Sequence, residues 1–146
     1  MSETSRPESV LVVVHTPAFD CLLLERVKPA GFWQSVTGTL RWHETAADCA
    51  AREVREETGI EPDSYPDGLV DARVTQRFPI LPEWRHRYAP DVTENVEHLW
   101  YLPVPEILPV TLNPAEHQQH RWLPLDEAIE TVTSWSNRAA LERLRV

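Results

Sequence analysis

The sequence is poor in cysteine, poor in positive charge, and has no long apolar run. Only Cys21 and Cys49 occur, too few for a disulfide scaffold and without metal-ligand spacing, so a reducing cytoplasm is the expected compartment. Lys and Arg number 14 against 23 Asp and Glu, a formal net charge of −9. That balance argues against duplex nucleic acid as a partner, because proteins that hold a duplex neutralise its phosphates with a basic surface. No basic segment followed by an apolar stretch opens the chain, and no later run approaches the ~20 apolar residues of a membrane span, so no membrane partner is expected. Internal repeats and low-complexity tracts are missing. What is present is a 146-residue chain, 42% hydrophobic with six tryptophans, large enough to bury its own core. One domain over 1–146 is expected; oligomeric state leaves no mark on the sequence.

Residues 9–15 and 20–24 are short β-branched or aliphatic runs separated by a turn at Pro17 and read as buried strands. A short strand over 32–37 ends at Gly38. Thr45 and Asp48 have the spacing of a capping box, starting a helix near Ala46 that Gly59 stops. Ala47, Ala50, Ala51, Val54 and Thr58 make a small-residue stripe that can pack on a sheet. Strands are expected over 69–78, 96–102 and 121–123, an irregular excursion over 79–93, and helices near 125–133 and 137–145, the last with Ser136 as the better N-cap.

The feature that decides the chemistry is Gly38, then Glu44, then Arg52-Glu53-Val54-Arg55-Glu56-Glu57-Thr58-Gly59-Ile60. Seven fixed Gly, Glu and Arg positions, each at roughly 7% usage, coincide by chance on the order of once in 10⁸ placements. The hexapeptide alone could be a solvated charged helix face; the framed and spaced whole is not. At 100° per residue Glu53 lies roughly 60° from Glu56 and roughly 40° from Glu57, so three carboxylates crowd one arc. Such like charges repel, and a hard divalent cation with oxygen ligands is what offsets the repulsion. An acidic protein that holds a polyphosphate needs the same cation. Arg52 sits four residues before Glu56 and can orient it by an ion pair.

This pattern, box 38–60, resembles the complete Nudix box. The resemblance implies an α/β fold of the α+β type, a mixed β-sheet sandwiched between helices, and attack of water on one phosphorus of a diphosphate with Mg²⁺ as cofactor, Mn²⁺ able to substitute. It further implies Glu53 and Glu57 as metal ligands, with Glu56 and Arg52 supporting the catalytic cluster. Glu116, in Asn113-Pro114-Ala115-Glu116-His117, resembles a recurrent acid-His segment and is a further metal ligand or general base, or else an exposed carboxylate. His117 and His120 read as surface or packing residues, since Mg²⁺ prefers oxygen. The chain departs from the family at Arg41-Trp42-His43, where Glu or Gly is common.

Three stretches outside the box are similar to one branch, the bacterial dihydroneopterin triphosphate pyrophosphatases: Phe32-Trp33-Gln34-Ser35-Val36-Thr37-Gly38, Arg85-His86-Arg87-Tyr88-Ala89-Pro90, and Ser134-Trp135-Ser136-Asn137-Arg138. The similarity implies cleavage of dihydroneopterin triphosphate to the monophosphate and pyrophosphate, with Arg26 and Thr37 at the substrate. Phe78, Pro79, Ile80 and Leu81 stand where the family lines its ring pocket, and Ser134 at a helix start suits a phosphate or serves as an ordinary cap. The competing readings are a pyrophosphatase acting on ordinary or oxidised nucleoside triphosphates, and a ligand sensor without turnover. The sensor reading predicts broken box carboxylates, and here all three are intact.

Overall fold

The computed structural model describes residues 4–145. Seven strands form one sheet: β1 Glu8–His15, β2 Asp20–Arg26, β3 Trp33–Gln34, β4 Val36–Thr39, β5 Val70–Pro79, β6 Glu94–Pro103 and β7 His117–Pro124. The helices are α1 Ala46–Thr58, α2 Leu125–Thr131 and α3 Trp135–Glu142. β1 runs parallel to β6, from Glu8↔Val96 to His15↔Pro103, and antiparallel to β4 over Ser9↔Thr39 to Val12↔Val36. β2 touches β1 only at His15↔Cys21, and otherwise carries β3 and β7. The sheet therefore forks after the first hairpin into β5-β6-β1-β4 and β3-β2-β7, and the mouth of the fork opens a cleft.

β1 is apolar from Val10 to Val14 because that stretch is covered on both faces. Val10, Val12 and Val14 pack with Leu22, Leu24 and the Ala50 and Val54 side of α1. Leu11 and Val13, one residue out of phase, pack with Leu99 under Ala128 and Leu141 of the α2–α3 layer. Each such side chain fully buried contributes roughly 1.5–3 kcal/mol. The mixed sheet between helical layers is the architecture expected. No helix among the described residues is long and apolar enough to cross a membrane.

Helix α1 begins and ends where its caps direct. Thr45 Oγ1 accepts from the Asp48 N–H at 3.1 Å, and Gly59, at φ 75°, donates its N–H to Arg55. Its buried stripe differs from the expected one: Cys49, Ala50, Glu53, Val54, Glu57 and Thr58 turn inward, while Ala47 is exposed. Two of the three box glutamates thus lie on the face packed against the sheet.

Three further boundaries differ from expectation. The strand over 32–37 is broken at Ser35, whose N–H donates to Asn137 Oδ1 at 2.7 Å and whose hydroxyl accepts from Asn137 Nδ2 at 3.0 Å; a helix side chain replaces the ladder partner there. β7 starts at His117 instead of 121, since its polar residues pair with β2 along their whole length. α3 is capped by Ser134, which accepts from the Asn137 N–H at 3.1 Å, and Ser136 lies buried inside the first turn. Within 79–93 a 3₁₀ turn forms at Pro82–Arg87.

Candidate active site

Glu57 ends the buried face of α1 at the mouth of the fork and is 1% exposed. Its Oε1 has no hydrogen-bond partner. His117, 3% exposed at the start of β7, faces it with Nε2 at 3.7 Å, and the same nitrogen meets Gln34 Nε2 at 3.2 Å. Burial and the Arg26 charge lower the His117 pKa, favouring the neutral ring. Glu57 therefore gains no cation from its imidazole neighbour. Its own pKa is pushed well up, first by burial, then by the carboxylates of Glu53 and Glu116.

Arg52 is engaged elsewhere. Its guanidinium forks onto Glu44, with Nε to Oε2 at 2.7 Å and Nη2 to Oε1 at 2.8 Å, and Nη1 reaches Glu53 Oε1 at 2.6 Å and Glu56 Oε2 at 3.3 Å. Nη2 also donates to the Thr39 carbonyl at 3.2 Å, tying the helix to β4. The bidentate pair holds the Glu44 pKa down at about 2. Glu56, the outermost of the box glutamates, is half-exposed and also lies 3.8 Å from Arg41.

Gly38 explains the approach of helix to strand. It lies inside β4 without positive φ, so the strand runs through it and does not end there. A Cβ there would overlap the Glu53 carboxyl group. The glycine leaves room for Glu53 to lie across the strand.

The cleft, about 420 Å³, is lined by Glu57, Glu116 and His117 on one side and Thr37 and Gly38 on another, with Arg26 and Lys28 at its rim. The structure thus brings Glu57, Glu116, Arg26 and Thr37 around one opening, with Glu53 behind it against Gly38 and Glu57. Thr37 Oγ1 donates to the Val10 carbonyl at 2.8 Å, a bond across the ladder rather than to the turn. Arg26 lies with its guanidinium 5.3 Å over the Phe32 ring. Phe78, Pro79, Ile80 and Leu81 are not among the cleft residues: they close β5 farther along the sheet, with Ile80 buried and Leu81 exposed. Ser134 is half-buried at the α3 cap.

His117, Gln34, Lys28 and the Glu44 fork were not assigned to the site from the sequence. His117 is not a surface residue. Its signal was position: it follows Glu116 directly, and alternation along β7 turns it inward. Lys28 stood in the loop two residues after Arg26, and a second cation so placed beside an anion site was the legible clue.

The residues fit a divalent cation. Glu57 Oε1 is a buried acceptor without a donor, Glu53 and Glu116 add negative charge beside it, and Arg52 is the cation the helix turns toward Glu53. Among the described residues no three His, Cys, Asp or Glu side chains close into a ready-made cage.

A NUDIX domain model matches residues 5–144. The chain is 40% identical over 139 residues to the dihydroneopterin triphosphate diphosphatase of Escherichia coli (strain K12), covering 94% of this chain and 91% of that protein. It is 34% identical over 146 residues to the Haemophilus influenzae protein of the same name, covering 98% and 90%. The solved structure of the E. coli dihydroneopterin triphosphate pyrophosphohydrolase superposes with a TM-score of 0.85 at 38% identity, covering 97% of each chain. By its glutamate helix, its forked sheet and the extent of these matches, the chain belongs to the Nudix family.

Proposed function

We propose that this protein is a Nudix pyrophosphohydrolase that cleaves dihydroneopterin triphosphate to dihydroneopterin monophosphate and pyrophosphate in the cytoplasm, with Mg²⁺, replaceable by Mn²⁺, as its cofactor. The observation that carries the reading is near full-length identity of 40% to a diphosphatase of that substrate, with a cleft lined by the buried Glu57, the exposed Glu116 and two basic side chains, Arg26 and Lys28. The two sides of that cleft suit the two halves of the task. Arg26 and Lys28 attract the triphosphate, and Arg26 offers a forked donor to phosphate oxygens. Glu53, Glu57 and Glu116 supply the oxygen ligands of the cation.

A divalent cation held there supplies the positive charge that phosphate oxygens need as the phosphorus is attacked. Arg52 keeps Glu53 and Glu56 in place through contacts that leave Glu57 untouched. Glu116, the solvent-facing carboxylate of the cleft, serves either as the third of the cation's ligands or as the base that takes the proton of the attacking water. The Thr37 hydroxyl, at the junction of β4 and the cleft, contacts the ligand while held by Val10. Phe78 to Leu81 and Ser134, which lie outside the cleft, border the ring and the distal phosphate only of a ligand that extends beyond it.

Two experiments test this reading. Turnover should vanish in excess chelator and return with Mg²⁺ or Mn²⁺; full turnover in chelator contradicts the metal role. Hydrolysis in ¹⁸O-water should give pyrophosphate and a monophosphate with label in one of the two, and label only in single orthophosphate would mean that a different bond is cut.

A further inference from the structure

Strands β1 and β4 bring two hydroxyls together on one wall of the cleft. Ser9 of β1 stands opposite Thr39 of β4; side chains opposite one another in an antiparallel ladder share a face, with Cβ atoms roughly 4.5–5.5 Å apart. Both residues line the cleft, in company with Thr37 and Glu57. Ser9 is 8% exposed, and Thr39 is open to solvent.

The hydrogen bonds of these hydroxyls fix which of them can still donate. From β6, on the other side of β1, the Asn95 amide Nδ2 donates to Ser9 Oγ at 2.8 Å. Asn95 is itself only 6% exposed. An amide N–H can only donate, so the serine oxygen is the acceptor and its own proton must go elsewhere. It finds no acceptor among the described residues. The Thr39 hydroxyl likewise has no partner among them, while the Thr39 carbonyl accepts from Arg52 Nη2 at 3.2 Å. Thr37 differs, because its proton is already given to the Val10 carbonyl at 2.8 Å. The wall therefore presents two adjacent donors, and a nearly buried hydroxyl without an acceptor is costly unless a ligand supplies one.

Taking as given that the cleft holds a polyphosphate, we propose that Ser9 and Thr39 form a phosphate clip, their hydroxyls donating to two non-bridging oxygens of one phosphate group, with Asn95 the positioning residue that turns the Ser9 proton toward it. Phosphate oxygens ionised at neutral pH only accept, which matches a pair of free donors. Arg26, at the end of β2, and Lys28, in the loop after it, line the same cleft. The phosphate is thus gripped by neutral donors from the β1–β4 arm of the fork and by cations from the β2 arm. The bond from Arg52 to the Thr39 carbonyl ties the clip to the glutamate cluster.

The test is calorimetric titration of inorganic pyrophosphate into the protein at saturating Mg²⁺, for the wild type, Ser9→Ala, Thr39→Val and Asn95→Asp. Ser9→Ala should raise the Kd about tenfold or more and the exposed Thr39→Val about fivefold, the scale of one hydrogen bond to a charged group. Mn²⁺ affinity without pyrophosphate should stay at the wild-type value in both, since neither hydroxyl holds the cation. Asn95→Asp should lose as much as Ser9→Ala although the serine is still present, because the new carboxylate accepts the Ser9 proton and turns it from the cleft. Adding Ser9→Ala to Asn95→Asp should then cost nothing further, whereas a carboxylate that merely repelled the anion would give additive losses. Wild-type affinity in Ser9→Ala, in Thr39→Val or in Asn95→Asp overturns the proposal, as do additive losses and as does a wild-type protein that binds no pyrophosphate. If thermal melting shows Ser9→Ala or Asn95→Asp unfolded, Thr39→Val decides alone. The predicted losses in a protein that fails to hydrolyse dihydroneopterin triphosphate would leave the clip standing and overturn the proposed substrate instead.

Discussion

Glu57 holds a carboxyl where ionisation is least favourable, buried, beside two other acids and with a near-neutral histidine as its neighbour. A carboxyl whose folded-state pKa is raised contributes stability that is present below its unfolded value, near about 4.3, and lost as pH rises through the folded value. In excess chelator at pH 8, Glu57→Gln should therefore melt higher than the wild type, by roughly 2–4 °C, with the gain vanishing below about pH 4. The same substitution should lower turnover strongly, because the oxygen it neutralises is the buried orphan. Differential scanning calorimetry with and without Mg²⁺ checks both signs: an unchanged Tm in chelator together with unchanged turnover would remove Glu57 from the site. Glu44 has the opposite sign, since Arg52 holds its pKa at about 2; its contribution is present above about pH 4.3 and fades toward pH 2. At this scale the acids were legible because their spacing is local to one helix. The His117 contact was not, because its partners Gln34 and Glu57 are brought together only by the fork of the sheet.

Helix α1 and strand β4 meet through Gly38 and Glu53, and the clearance between them is set by a missing side chain. Gly38→Ala leaves the backbone conformation allowed but places a methyl in the Glu53 carboxyl group. Titration with Mn²⁺ should show metal affinity reduced about tenfold or more, the size expected when the support of a ligand is disturbed. Wild-type affinity in that variant would mean that Glu53 can relocate freely and that the close approach is incidental. The helix ends were legible in Thr45 and Gly59, whose cap chemistry is local. The buried stripe was not: alanines tolerate either face, and burying Glu53 and Glu57 contradicts the ordinary rule that carboxylates stay outside. The break at Ser35 was hidden for another reason, since the group that makes it, Asn137, lies 102 residues away in sequence.

Across the whole molecule, an acidic chain sets Arg26 and Lys28 in one cleft with Glu57 and Glu116 at the fork of a divided sheet, and the proposed function reads the two as the anion and cation sides of one site. The fold class and the box could be read from sequence because periodic apolar runs and fixed spacings encode them. The relation between the box and residues such as Arg26 and His117 could not, because it depends on the pairing of β2 with β7, where Arg26 stands opposite His117. The reading that unites these features is that the cleft accepts dihydroneopterin triphosphate in preference to nucleotides. The most direct measurement is side-by-side steady-state kinetics of the pure protein with Mg²⁺, following pyrophosphate release from dihydroneopterin triphosphate, each common dNTP and 8-oxo-dGTP. The pterin compound should exceed every one of the others in kcat/KM by about tenfold or more; equal or faster hydrolysis of any dNTP or of 8-oxo-dGTP would contradict the substrate assignment.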